Sequence, residues 1–183
     1  MQILNERILL DGTWVVLKEK DFKKDNGSLG SWRYIERKQA RQAAVIVPHT
    51  EKTDSLVLIE QFRMPFSANV IEFPAGLVDD GETMDRAAER ELKEETGFTG
   101  RVLSISPDIA SSSGLTSETI RLIYMETPET ADTEPQLEGA EELQVHVIPP
   151  ENMVSFYYNC IKRGIIMDAK VFTYIREHYD IGI

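Results

Sequence analysis

The chain has 183 residues, 42% of them hydrophobic, with a net charge of -11 and one cysteine, so it suits one domain with a substantial core rather than two. The lone Cys160 excludes an intrachain disulfide framework and a cysteine-based zinc site; beside Phe156, Ile161 and Ile165 it reads as a buried, inert thiol, in keeping with a reducing compartment. Net acidity excludes a protein that tracks a nucleic-acid backbone, and the charged start MQILNERILLDG matches neither a secretion signal nor a membrane anchor, which makes the cytoplasm the expected location.

Alternation and short apolar runs predict strands near residues 3–9, 13–20, 32–37, 43–48, 55–61, 69–73, 101–106, 118–125 and 143–148. Helical spacing predicts helices over about 84–96, 150–163 and 168–179, the last through Val171, Phe172, Ile175 and Tyr179. Asp25-Asn26-Gly27 predicts a hairpin, so residues 1–40 read as a small antiparallel sheet ahead of a main unit at 41–183, an α+β chain with no internal repeat. Thr127 to Glu142, with Pro128, Pro135 and Gly139, is expected to form a long mobile loop, and such loops are often functional. Charge is uneven along this order. Residues 1–48 carry nine Lys and Arg against six acids, while the rest carry eleven against twenty-five. A cationic lip beside an acidic body suits a small phosphorylated ligand better than a polymer.

The most informative stretch is GLVDDGETMDRAAERELKEETGF, residues 76–98. Met84, Ala88 and Leu92 recur every four residues and mark the buried stripe of a helix, with Thr83 as N-cap and Gly97 as the stop. Glu91 and Glu95 then stand one turn apart on one face with Glu94 in reach of both, so three carboxylates are expected to converge. Like charges that close repel unless a cation lies between them, and an all-oxygen set suits a hard ion such as Mg2+ or Mn2+. A plain alternative is a solvated helix face threaded with Arg86, Arg90 and Lys93. Glu82 and Arg90 read as an ion pair that fastens the loop to the helix.

The pattern Gly76, Glu82, Arg90, Glu91, Leu92, Glu94, Glu95, Gly97 and Phe98 matches the Nudix box, departing only in the aromatic Phe98 where an aliphatic is usual. Beyond the box, the chain resembles the ADP-ribose and ADP-sugar pyrophosphatase branch of the Nudix hydrolases along nearly its whole length. The resemblance is carried by Gly12-Thr13-Trp14-Val15, Trp32 with Arg37, Glu60-Gln61-Phe62-Arg63, Ile71 to Gly76, and Pro107. It implies a Nudix fold, a mixed sheet between helices in an α/β/α sandwich, with the amino-terminal sheet exchanged in a homodimer whose active sites are lined by both subunits. It implies divalent metal held by the Ala75 carbonyl, Glu91, Glu95 and Glu141, and a catalytic set of Glu141, Glu94 and Arg90. Glu141 deprotonates water in this scheme, and Glu138 or Glu142 would take that place if the loop aligns differently. Trp14 and Trp32 would sandwich a purine, one from each subunit. Arg37 and Arg63 would contact the diphosphate, with Gly76 and Leu77 beside it.

Two positions depart from the family pattern. Arg33 stands where an acidic residue would accept from the adenine amino group, and a donor there suits the O6 and N7 of guanine, making GDP-mannose a substrate candidate beside ADP-ribose. Ser112 stands where an acidic residue lies near the terminal sugar. The expected activity is Mg2+-dependent hydrolysis of nucleoside diphosphate sugars to nucleoside monophosphate and sugar phosphate. The alternatives are a non-hydrolytic nucleotide-sugar sensing module and a housecleaning hydrolase of damaged nucleotides.

Overall fold

The computed structural model describes residues 1–38, 42–137 and 142–182. The chain opens with a three-stranded antiparallel sheet of β1 (Gln2–Asp11), β2 (Val15–Lys23) and β3 (Leu29–Arg37), in that spatial order. The hairpin at Asp25 to Gly27 joins β2 to β3, closed by a 2.8 Å bond from the Lys24 amide to the Ser28 carbonyl. All ten residues of β1 are exposed, Ile3, Leu4, Ile8, Leu9 and Leu10 among them. A sheet this small has no core of its own. Its attachment to the rest of the chain runs through β3: the Ile35 amide donates to the Leu115 carbonyl (2.8 Å) and the Ser117 amide donates to the Ile35 carbonyl (3.1 Å).

The main unit runs β4 (Gln42–Thr50), β5 (Leu56–Arg63), β6 (Ala68–Glu72), β7 (Ala75–Leu77), α1 (Met84–Thr96), β8 (Arg101–Ile105), β9 (Ile109–Ala110), β10 (Thr119–Thr127), β11 (Leu143–Ile148), α2 (Met153–Lys162), β12 (Ile166–Met167) and α3 (Ala169–His178). Its strands form one mixed sheet, with β10 parallel to β4, β12 parallel to β6 and the other pairings antiparallel. Strand period explains the layers. On β4, Ala44 and Ile46 face Ala87, Ala88 and Leu92 of α1, while Val45 and Val47 face Met153 and Tyr157 of α2 and Val171 and Ile175 of α3. All of these are buried. Each large apolar side chain so placed contributes about 1.5–3 kcal/mol, and the result is an α/β/α sandwich.

The strands β7, β9 and β12 are absent from the predicted elements, because two or three residues carry no readable period. The first of them positions the site. Pairing of Ala43, Ala44 and Val45 with Leu77, Gly76 and Ala75 pins the start of the acidic motif against the central strand. Cys160 is buried as expected, and burial pushes its thiol pKa up. Among the described residues no helix is long and apolar enough to cross a membrane.

Candidate active site

Helix α1 forms where the spacing predicts it. Thr83 is extended and its carbonyl accepts from the Ala87 amide at 3.0 Å, though its hydroxyl makes no capping bond. At the other end Gly97 is left-handed, with φ of 74°. A Cβ there would also lie 1.9 Å from the Thr133 carbonyl oxygen, because the segment after β10 passes directly over the helix end. The amides of Asp132 and Thr133 donate to the Gly97 carbonyl, and the Gln136 amide donates to the Glu94 carbonyl at 2.7 Å. The loop expected to be mobile is therefore fastened to α1 along residues 132–136. Glu138 and Glu141, the latter the expected general base and metal ligand, lie outside the described residues; Glu142 immediately precedes β11.

Between β7, the exposed side of α1 and this loop lies a cavity of about 450 Å3, lined by Ala75, Gly76, Leu77, Asp79, Arg90, Glu91, Glu94, Glu95, Gln136 and Leu137. Arg90 organises it. Its Nε and Nη2 grip Glu82 at 3.0 and 2.9 Å, Nη2 also donates to the Leu77 carbonyl (3.0 Å), and Nη1 donates to Glu91 (2.7 Å) and Glu94 (3.1 Å). All five donors of the guanidinium are spent, and its pKa is raised, first by the bonds to Glu82. Glu91 shows the opposite pull. Burial drives its carboxyl pKa upward and outweighs the bond from Arg90, with Glu94 and Glu82 adding repulsion.

The three carboxylates expected to converge border one cavity, with Arg90 bonded to two of them. Arg90 lies between Glu91 and Glu94, Glu95 accepts from the Ala75 amide at 2.9 Å, and among the described residues no three acidic, His or Cys side chains stand close enough together to hold an ion. The donor chemistry nevertheless fits a hard divalent cation: carboxylates of Glu91, Glu94 and Glu95 and the backbone at Ala75 border one polar cavity without nitrogen or sulfur ligands. Gly76 shows how tight the fit is, since a Cβ on it would lie 1.8 Å from the Glu91 carboxyl carbon.

The expected substrate residues are distributed over a wider surface. Trp14 and Trp32 are both exposed, and the Trp32 indole N–H donates to the Gly114 carbonyl at 3.1 Å. This places the segment containing Ser112 beside Trp32; the Ser112 carbonyl accepts from the Leu115 amide at 2.9 Å. Arg37 pairs with Glu118 (2.8 Å) and Arg63 with Glu72 (2.6 Å). Arg33 does not join Trp32. It pairs across β2 with Glu19 at 2.7 Å, whereas Trp32 opposes Lys20, so the two neighbours occupy opposite faces of the amino-terminal sheet. Glu118 and Glu72 escaped the sequence reading, since nothing in an isolated glutamate marks it as an arginine partner.

The family model of the NUDIX domain matches residues 39–167. The chain belongs to the Nudix family. Among curated Nudix relatives and their neighbours, it is 32% identical to an ADP-ribose pyrophosphatase of Saccharomyces cerevisiae over 88% of this chain and 75% of that protein. It is 26% identical to an ADP-sugar pyrophosphatase of Mus musculus over 94% of this chain and 84% of that one. A solved structure described as an ADP compounds hydrolase superposes with a TM-score of 0.69 at 24% identity, covering 86% of this chain and 82% of that chain, which shows a shared fold. The Nudix match starts just beyond β3, so the sheet bearing Trp14 and Trp32 precedes it.

Proposed function

We propose that this Nudix protein hydrolyses the diphosphate bond of nucleoside diphosphate sugars, ADP-ribose foremost, releasing a nucleoside monophosphate and a sugar phosphate with the aid of Mg2+ or Mn2+. The observation that carries the reading is the cavity around Arg90, where one guanidinium orders Glu82, Glu91, Glu94 and the Leu77 carbonyl against β7. The names of the yeast and mouse relatives supply the substrate class.

Glu91, Glu95 and the Ala75 carbonyl would hold the ion, with Glu141 joining them from the loop. The chemistry such an ion supplies is neutralisation of diphosphate charge and acidification of water. Arg90 holds Glu91 and Glu94 in place and does not react. Glu95, through the Ala75 amide, keeps β7 in register with the helix. Glu141 accepts the proton of the attacking water. Arg37 and Arg63 take the phosphate oxygens, Gly76 and Leu77 line their path, and Ser112 borders the terminal sugar.

Trp14 and Trp32 stack on the base. Because Trp32 spends its N–H on Gly114 and Arg33 lies on the other sheet face, recognition by stacking is favoured over reading of the purine edge. GDP-mannose is then accepted alongside ADP-ribose without a preference set by Arg33. The exposed Ile3, Leu4, Ile8, Leu9 and Leu10 of β1 support a homodimer in which the amino-terminal sheet is covered by the second subunit and the two tryptophans of a site come from different chains. A panel of ADP-ribose, ADP-glucose, GDP-mannose and GDP-glucose, assayed by phosphatase-coupled phosphate release with Mg2+ and with chelator, tests the reading. Metal-dependent release from ADP-ribose is the expected result, and binding without release on any member would replace hydrolase with sensor.

A further inference from the structure

Two arginines outside α1 are held in the same manner. Arg37, the last residue of β3, donates its Nε–H to Glu118, and Arg63, the last residue of β5, donates its Nε–H to Glu72. In each pair the carboxylate is sheltered, at 18% and 17% exposed, while the arginine is open, at 42% and 44%. Among the described residues neither guanidinium makes a further hydrogen bond or ion pair, so both keep their two terminal nitrogens for another partner. The contrast with Arg90, whose five donors are all used, is direct.

An Nε grip alone does not select these two, because Arg33 and Arg121 are held that way too. Placement does. Arg33 is held inside the amino-terminal sheet by Glu19, which also binds Arg7, and the partner of Arg121, Asp108, is nearly half exposed. Glu118 immediately precedes β10, where Ile120, Ala43 and Leu77 form one row across three strands. Leu77 at the cavity is thus two strand spacings, roughly 10 Å, from Ile120, which follows Glu118 by two residues. Glu72 ends β6, three residues before Ala75. Both pairs therefore flank the strand that borders the acidic cavity.

A guanidinium fixed at Nε presents the edge formed by Nη1 and Nη2, which matches two oxygens of a phosphate group. Fixing it beforehand also removes rotamer entropy that binding would otherwise cost. We propose that Glu118 and Glu72 are positioning residues that aim Arg37 and Arg63 at the diphosphate of the substrate, an inference that rests on the pyrophosphatase reading above. The sheltered acids do not touch the reacting atoms; they act through the arginines.

The test is a pair of double-mutant cycles on ADP-ribose turnover at saturating Mg2+. Glu118→Gln is expected to raise KM about five- to twenty-fold with kcat within about threefold, and Arg37→Ala to raise KM further. The double variant is expected to match Arg37→Ala alone, since the acid has nothing left to aim, and Glu118→Asp is expected to recover part of the loss. The same pattern is expected for Glu72→Gln with Arg63→Ala, and that cycle decides if Glu118→Gln does not fold. A wild-type protein inactive on every nucleoside diphosphate sugar overturns the pyrophosphatase reading. An active wild type with an unchanged KM in both glutamine variants, or with losses that multiply in the double variants, overturns the positioning role.

Discussion

The Glu91 carboxyl group lies where a side chain on residue 76 would begin: a Cβ at Gly76 would stand 1.8 Å from its carboxyl carbon. The first and fourth defined positions of the Nudix box thus touch across fifteen residues of chain. Glycine is required there by the close approach of a carboxylate.

Gly76→Ala is therefore expected to push Glu91 off the bond from Arg90 and out of the cavity. Turnover should fall by about 10^2-fold or more, with the Mg2+ requirement shifted to higher concentration, while the buried stripe of α1 keeps the fold. Rate against Mg2+ concentration, together with thermal unfolding, checks this. Wild-type kinetics in the variant would show that Glu91 has another place to go.

Glu60 supplies a stability prediction with a definite sign. It is 3% exposed, and burial pushes its carboxyl up. The Asn69 amide at 2.7 Å, His146 at 3.1 Å and the Arg163 charge at 3.2 Å together outweigh burial and hold the carboxyl below its usual range. A depressed folded pKa contributes stability above the unfolded value and loses it as pH falls through the folded one. Glu60→Gln should cost roughly 2–4 kcal/mol near neutral pH, and the gap to wild type should close as the pH drops below about 4. Urea unfolding at neutral and acid pH measures both; a gap independent of pH would remove the charge from the explanation.

Arg33→Glu should leave the ranking of ADP-ribose and GDP-sugars unchanged, because the side chain faces Glu19 and not Trp32. The variant sets a second acid against the buried carboxylate of Glu19 and should lose stability. A shift of preference toward ADP-ribose after the substitution would return Arg33 to the site.

The contrast between Arg33 and the box residues shows what a sequence makes legible. Helix α1, its bounds and its ordering of Arg90 against Glu82 follow from local period and glycine placement, and these are short-range properties. The alternation of a strand places Trp32 and Arg33 on opposite faces by the same kind of local rule, yet the resemblance to a family position suggested otherwise. The partners Glu118 and Glu72 and the strand β7 were not legible. Glu118 meets Arg37 across eighty-one positions of chain, and a three-residue strand exists only because β4 is there to pair with it. Arg90 standing between Glu91 and Glu94 was also missed, since spacing places three acids on a helix face without saying which cation they meet.

The homodimer is tested by mixing two inactive variants, Trp14→Ala and Glu95→Gln. If each site draws a tryptophan from the other subunit, mixed dimers contain one intact site and some activity returns. Sedimentation as a monomer at micromolar concentration, with no recovery on mixing, would contradict it.

The central claim, that the cavity beside Arg90 is a metal-dependent pyrophosphatase centre, is tested most directly by chromatographic analysis of ADP-ribose incubated with wild-type protein and Glu95→Gln across a Mg2+ titration. The wild type should release AMP and ribose 5-phosphate only when Mg2+ is present, and the variant should fold with an unchanged unfolding temperature but turn over about 10^2-fold more slowly or less. A Glu95→Gln protein that matched the wild-type rate at saturating Mg2+ would place the reaction elsewhere.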